Sequence, residues 1–370
     1  MRDLMSSDRG YYPQLDGLRG VAIALVIVGH LAHFSFGRNG AWAASASVGV
    51  SLFFALSGFL ITNILLEEIK SSGRIGFRNF YVRRCLRLLP ALFAFLVAMT
   101  VLKLAGLFSQ DAWTSLAASV LYVRNIFGRG DGTGHLWSLS LEEQFYVTWP
   151  LLLFLTFRRG ERITIVILVA VAIWRATAVH FRLVNEATGA LYERPWFRYD
   201  AILYGCWIAL VLRTRRESWQ RAACWFHPLV TLPLLVVASA IPSSSPVGPF
   251  SLTLQALLAM AVTFSTIVSA PTSIIYRALA SAPARFLGHI SYSLYLWQQP
   301  FIVVRTPSWG GLRTFPLNLA AAFALALFSY YVIERPFLAL KSRFSASPAA
   351  THRPLAHQER AAAPISAPPS

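Results

Sequence analysis

Arg19-Gly20-Val21-Ala22-Ile23-Ala24-Leu25-Val26-Ile27-Val28-Gly29-His30-Leu31-Ala32-His33-Phe34-Ser35-Phe36 is the stretch that decides how this chain folds. It is apolar except for Arg19 at its start, His30 inside it and His33 one turn further on. Its length suits a helix crossing a bilayer, which needs roughly 17–25 apolar residues. Eleven steps of about 100° return to within roughly 20° of the starting direction, roughly 16 Å further along. Arg19 and His30 therefore share one face. With the arginine at a membrane surface, the imidazole is expected near mid-depth. An ionisable side chain there is costly and marks a functional site. A neutral imidazole can accept a proton, and its ordinary pKa suits that role.

The composition agrees with a membrane protein. Hydrophobic residues make up 56% and charged residues only 13%, against roughly 25% charged in soluble domains. The net charge of +17 would suit a nucleic-acid binder, but it is spread over short loops between apolar runs, so no nucleic acid is expected as a partner. Cys85, Cys206 and Cys224 are an odd set within or beside apolar runs. They read as buried thiols rather than a disulfide framework. Ala41-Trp42-Ala43 resembles a signal-peptidase site, yet further apolar runs follow it, and the first helix is expected to stay in place.

The fold class expected is all-α, a polytopic membrane protein with about ten transmembrane helices. The apolar runs are 19–36, 48–66, 88–106, 137–157, 163–181, 196–212, 225–241, 250–270, 288–304 and 315–334. No internal repeat is visible, which weakens an inverted-repeat transporter reading. With a cytoplasmic N-terminus, 23 of the 33 lysines and arginines fall in cytoplasmic segments, which is the expected bias. Both termini are then cytoplasmic. Residues 1–344 read as one membrane domain and 345–370, rich in Ala, Pro and Ser, as a disordered cytoplasmic tail.

Three constellations are candidates for chemistry. The first is Arg19 with His30. The second is the run His135 to Trp149, where His135, Ser138, Glu142, Tyr146 and Trp149 follow steps of three or four and form one stripe. Glu143 points about 100° away and reads as the acid of a wet helix start. The third is the basic loop ending in Arg83, Arg84 and Arg87. Arg84 and Arg87, three apart, can clamp one polyanion through planar guanidinium groups. Weaker signals are Asp200, the segment with Tyr295 and Trp297, and Glu334, the last read as a structural ion-pair partner. No metal-ligand spacing is present, and no metal or permanently bound cofactor is expected.

Taken together the motifs resemble the acyltransferase 3 family of integral-membrane O-acyltransferases. Arg19, ten residues and His30 are similar to its first-helix motif, preceded by Leu15-Asp16-Gly17-Leu18. Ser51-Leu52-Phe53-Phe54-Ala55-Leu56-Ser57-Gly58-Phe59-Leu60, Arg84-Cys85-Leu86-Arg87, His135 to Tyr146, Ser291 to Trp297, and Ile333-Glu334-Arg335-Pro336 follow in family order. The resemblance covers about residues 11–340. One departure stands out: Gln298-Gln299 follows Trp297, where the family often has histidine. Some members carry a fused extracytoplasmic hydrolase-like domain, and none is expected here.

The resemblance implies transfer of an acyl group, commonly acetyl, from cytoplasmic acyl-coenzyme A to a hydroxyl of a cell-surface carbohydrate or other glycosylated acceptor, in a bacterial inner membrane. Acyl-coenzyme A is then a co-substrate, and membrane lipid surrounds the chain. Arg84 and Arg87 would hold the phosphates, and Arg19 would guide the pantetheine arm. His30 would deprotonate the acceptor or carry the acyl group, with Glu142 holding its tautomer. Ser138, Tyr146, Asp200, Tyr295 and Trp297 are acceptor or supporting candidates. A proton-coupled transporter would also bury His30, Glu142 and Asp200, and a lipid-binding scaffold would explain the apolar bulk. Only the enzyme releases free coenzyme A when acceptor is present.

The orientation is tested by cysteine labelling from outside the cell. A probe near Gly130 should react and one near Arg84 should not; the reverse pattern would invert the topology.

Overall fold

The structure, a computed structural model, describes residues 11–107, 113–128, 130, 132–184, 189–215, 217–219, 226–241, 245, 247–304 and 307–344. Among these residues the regular structure is entirely helical. The expected tail from Ser345, and Cys224, lie outside the described residues.

The helices are α1 (Pro13–His30), α2 (Ala41–Ser72), α3 (Phe77–Leu104), α4 (Trp113–Val120), α5 (Leu136–Thr156), α6 (Gly160–His180), α7 (Ala190–Glu193), α8 (Pro195–Thr214), α9 (Pro228–Ala240), α10 (Gly248–Val268), α11 (Ile274–Leu279), α12 (Ala282–Gln298), α13 (Leu317–Phe328) and α14 (Arg335–Leu340). Every apolar run of the sequence overlaps a helix. Among the described residues, six helical stretches are long and apolar enough to cross: Pro13–Ser35, Ala41–Ser72, Phe77–Leu104, Gly160–His180, Gly248–Val268 and Leu317–Leu340. The others fall short for visible reasons. α5 carries Glu142, Glu143 and Gln144; α8 carries Arg198, Asp200 and Arg213; α9 has 13 residues and α12 has 17.

α1 starts earlier than the apolar run suggests. Pro13 occupies its first turn, where proline's fixed φ is already helical. Asp16 also lies in that turn, where a carboxylate suits the positive end of the dipole. His30 is consequently the last residue of α1 and the eighteenth of the 23 residues from Pro13 to Ser35.

The core is a tight packing of α1, α2, α8 and α12. Small residues make it possible, as they do wherever helices must approach closely inside a membrane. A Cβ at Gly58 of α2 would collide with the Ile202 carbonyl of α8, and one at Gly205 would collide with the Ala55 carbonyl. Gly17 and Gly288 bring α1 against α11 and α12 in the same way. α2 ends at Gly73, whose φ of 71° is the left-handed cap that glycine adopts without strain. The turn into α3 is tied by Glu68, which accepts from the Gly76 N–H at 3.0 Å and pairs with Arg83 at 3.5 Å. That tie fixes where the arginines of α3 begin.

Two cysteine expectations divide. Cys206 is buried, whereas Cys85 is exposed on α3.

Gly58→Ala should destabilise the protein by about 1–3 kcal/mol, as overpacking does, although alanine favours a helix. Gly311→Ala, whose added methyl would meet only the Leu317 side chain at 3.9 Å, an ordinary contact distance, is the control. Thermal unfolding in detergent reads both; equal melting temperatures would overturn the close-packing argument.

Candidate active site

One large cavity, of about 440 Å³, lies among α1, α2, α3, α5 and α12. Its charged lining is four arginines, Arg19, Arg83, Arg84 and Arg87, against two carboxylates, Asp16 and Glu142. The excess of positive charge suits a polyanion. The remaining walls are mainly apolar and aromatic, with Phe53, Phe54 and Leu60 of α2 among them. Of the residues singled out from the sequence, Arg19, Arg84, Arg87, Ser138, Glu142, Tyr146 and Tyr295 all line this space.

Arg84 is held from two sides. Its Nε donates to Glu143 Oε1 at 3.1 Å, and its guanidinium lies 3.4 Å from the centre of the Tyr146 ring. Charge pairing and cation–π contact together fix the guanidinium plane. Glu143, read from the sequence as a helix-start acid, is therefore the residue that positions Arg84. The stripe argument missed it because α5 faces α2 on one side and α3 on another. Arg87 has no hydrogen bond or close ion pair among the described residues, so its donors are free for a ligand. Glu142 accepts from Ser57 Oγ at 2.8 Å, and Arg19 is near enough to interact with its charge.

At the far end of the cavity, Ser138 Oγ and Tyr295 Oη are 2.5 Å apart. Tyr295 also donates to the His135 carbonyl at 2.7 Å. Having spent its only proton there, its oxygen accepts from Ser138. The His135 ring packs against Phe95 and Tyr295 at 5.5 and 5.2 Å. Both ring nitrogens are buried without a partner among the described residues.

His30 lies beyond this end. Its Nδ1 is 2.8 Å from Gln298 Oε1, and Gln298 is three residues, about 4.5 Å, past Tyr295 along α12. No residue pattern hints at this pair across 268 positions; the one signal is that glutamine stands where the family often has histidine. An amide oxygen accepts only, so Nδ1 carries the proton and Nε2 is left with its lone pair. Gln298 Nε2 in turn donates to Gln299 Oε1 at 3.4 Å. Both helices change character just past the pair: Leu31–Ser35 and Gln299–Val303 are π-helical, a geometry frequent at functional sites.

The direct pairing of His30 with Glu142 expected from the sequence is corrected. Gly29 packs against Ala43 and Ala46 of α2, whereas Glu142 bonds to Ser57. Those positions on α2 are roughly 16 Å apart along its axis. Glu142 belongs to the level of Arg19, and His30 to the opposite end. Four further residues sit elsewhere. Asp200 is a buried ion-pair partner of Arg175 at 2.8 Å, outside the cavity. Trp297 is buried edge-on against Phe95 at 5.5 Å and does not line it. Glu334 accepts from Ser293 at 2.9 Å rather than forming a close ion pair. His33 is exposed and bonds to Asn39 at 3.0 Å. Among the described residues no three His, Cys, Asp or Glu side chains converge as a metal site.

Comparison with known proteins identifies the family. The family described as an acyltransferase domain matches residues 12–335. Peptidoglycan O-acetyltransferase OatA of Listeria monocytogenes is 28% identical over 89% of this chain and 56% of its own length. The putative peptidoglycan O-acetyltransferase YrhL of Bacillus subtilis is 31% identical over 88% and 55%. O-acetyltransferase OatA of Staphylococcus aureus is 29% identical over 79% and 51%. The chain thus spans about half the length of these relatives. No solved structure matches it. The family match covers all the helices that build the cavity and bears out the resemblance read from the motifs: this chain is an integral-membrane member of the acyltransferase 3 family.

Proposed function

We propose that this chain moves an acyl group, acetyl in the simplest case, from acyl-coenzyme A to a hydroxyl of a cell-envelope carbohydrate. The observation that carries the reading is one cavity with arginines at one end and hydroxyls at the other, and a histidine of fixed tautomer just past the hydroxyls. The printed names of the relatives, peptidoglycan O-acetyltransferases, support the acetyl group and the carbohydrate acceptor. The charge bias of the loops supports a cytoplasmic donor side with both termini cytoplasmic, in a bacterial inner membrane.

Coenzyme A carries phosphates. Arg87, with Arg84 held planar by Glu143 and Tyr146, takes them at the mouth. Arg19 faces the arm as it extends toward Ser138 and Tyr295. There the thioester meets the level of His30. Nε2 of His30 removes the acceptor proton as its oxygen attacks the thioester carbonyl, and the thiolate of coenzyme A leaves. Gln298 holds the ring and stabilises the imidazolium through Nδ1–H. Glu142 acts near the donor, balancing Arg19 and Arg84, rather than as the acid of a histidine dyad.

Arg84→Ala with Arg87→Ala should weaken acetyl-coenzyme A binding roughly tenfold or more, since bonds to charged groups are worth about 1.5–3 kcal/mol each. Lysine should rescue only in part, because it lacks the planar fork. Unchanged affinity in membranes would return these arginines to topology alone.

His30→Ala should abolish transfer of a labelled acetyl group while donor binding persists. Gln298→Leu should lower kcat and alter the pH dependence of the rate; Glu142→Gln should leave that dependence in place and change donor affinity. An active His30→Ala protein would overturn the base assignment. A pH profile altered by Glu142→Gln but not by Gln298→Leu would restore the glutamate as its partner.

A further inference from the structure

A second cavity, of about 370 Å³, opens at the other end of α2. On α2 the first cavity is lined from Val50 to Ile64 and the second from the N-cap Gly40 to Ser47, so their near edges are only about 4.5 Å apart along that helix. The two differ in chemistry. The second has no charged side chain in its lining; its polar groups are the hydroxyls of Ser47, Tyr192, Ser239 and Ser251 and the amide of Gln255. These groups are wired together. Tyr192 donates to Ser47 Oγ at 2.7 Å, Ser47 donates to Gln255 Oε1 at 3.2 Å, and Gln255 Nε2 donates to the Ala238 carbonyl at 3.2 Å. Gln255 is only 3% exposed. Among the described residues the Ser239 hydroxyl is buried without a partner, although it lines the space. A buried hydroxyl left unbonded is costly, and a ligand with hydroxyls of its own would satisfy it.

The wall between the cavities is aromatic and cationic. Tyr192 packs on Trp137 at 4.9 Å, and Trp137 on Phe54 at 5.9 Å; Phe54 lines the first cavity. Arg198 is fully buried in the same wall, 4.9 Å from the Tyr192 ring and 5.8 Å from Phe54. Its Nη2 reaches Ser51 Oγ at 3.5 Å, while Nε and Nη1 have no partner among the described residues. Ala43, in the lining of the second cavity, also touches Gly29, which puts this space at the height of His30.

We infer that this second cavity binds the acceptor: a neutral, polyhydroxylated sugar unit, seated against Tyr192 and hydrogen-bonded by Ser47, Ser239 and Gln255. The inference rests on the acyl-transfer reading above and names the acceptor's place in it. Hydroxyl and amide groups beside an aromatic ring suit a pyranose, and the lack of charge in the lining disfavours the phosphates that the first cavity attracts.

The test uses the full chain in lipid nanodiscs, with a tetramer of N-acetylglucosamine as the neutral glycan and acetyl-coenzyme A as the donor. Binding of each is measured separately by calorimetry. Tyr192→Phe and Gln255→Leu should each weaken glycan binding about fivefold, the size of one neutral hydrogen bond. Acetyl-coenzyme A binding should not move. Ser239→Trp, which fills the cavity, should abolish glycan binding while the donor still binds. Glycan affinity unchanged in all three variants, or no glycan binding to the unaltered chain, would overturn the inference. Loss of both ligands together in Tyr192→Phe would also overturn it, since that marks a structural effect. Failure of the acyl-transfer reading looks different: acetyl-coenzyme A would not bind the unaltered chain, whatever the glycan does.

Discussion

A polar group inside hydrocarbon needs a partner, and this requirement arranges the whole bundle. Arg175 donates to the Phe197 carbonyl, to Asp200 and to Thr253. Trp149 on α5 reaches Thr62 on α2 at 2.9 Å. Gln144 closes against Asn125 and the Tyr122 carbonyl. Such bonds hold helices that lipid would not drive together, because lipid is as apolar as the helix surfaces. Against that background the unsatisfied groups stand out. Among the described residues, Arg19 Nε, both nitrogens of His135 and two nitrogens of Arg198 lack partners. Arg19 lines the first cavity, His135 packs on a residue of its far end, and Arg198 lies in the wall between the two. Other unmet groups, among them Arg175 Nε and Thr263 Oγ1, line neither cavity.

Much of this was legible in the residues. Periodicity along α1 put Arg19 and His30 on one face, and the stripe on α5 delivered Ser138, Glu142 and Tyr146 to the cavity. What the sequence could not supply was the relative height of different helices. A helical wheel gives direction about an axis, and sliding one helix past another leaves it unchanged. That is why His30 and Glu142, both facing inward, turned out to be on different levels. It is also why Gln298 was invisible: its partnership with His30 exists only after α12 has docked beside α1. Length and composition alone single out six spans among the described residues rather than ten, for a related reason. α5 and α8 look less apolar than membrane helices because their polar residues face neighbours, and that is known only once the neighbours are in place.

The π-helical turns after His30 and Gln298 have unequal sequence origins. In α12 the turn contains Pro300, which has no N–H to give to the preceding turn, so the α pattern is already interrupted there. In α1 no proline marks the change. The two widened segments follow directly on the paired side chains, so the backbone around the pair departs from the regular ladder on both helices.

The crowded backbone contacts through glycine also decide which parts of the molecule are able to move. α2 is 72% buried along its most apolar window, α3 only 33%, and Phe93 and Leu104 of α3 are largely exposed. Turning α1, α2, α8 or α12 about its axis would drive a helix into a neighbouring carbonyl. α3 has no such lock, and it carries Arg83, Arg84 and Arg87. The first cavity thus has two unlike walls: a densely packed one from Arg19 to His30, and a looser, arginine-bearing one on α3 that is held by side-chain bonds rather than by backbone contact through glycine.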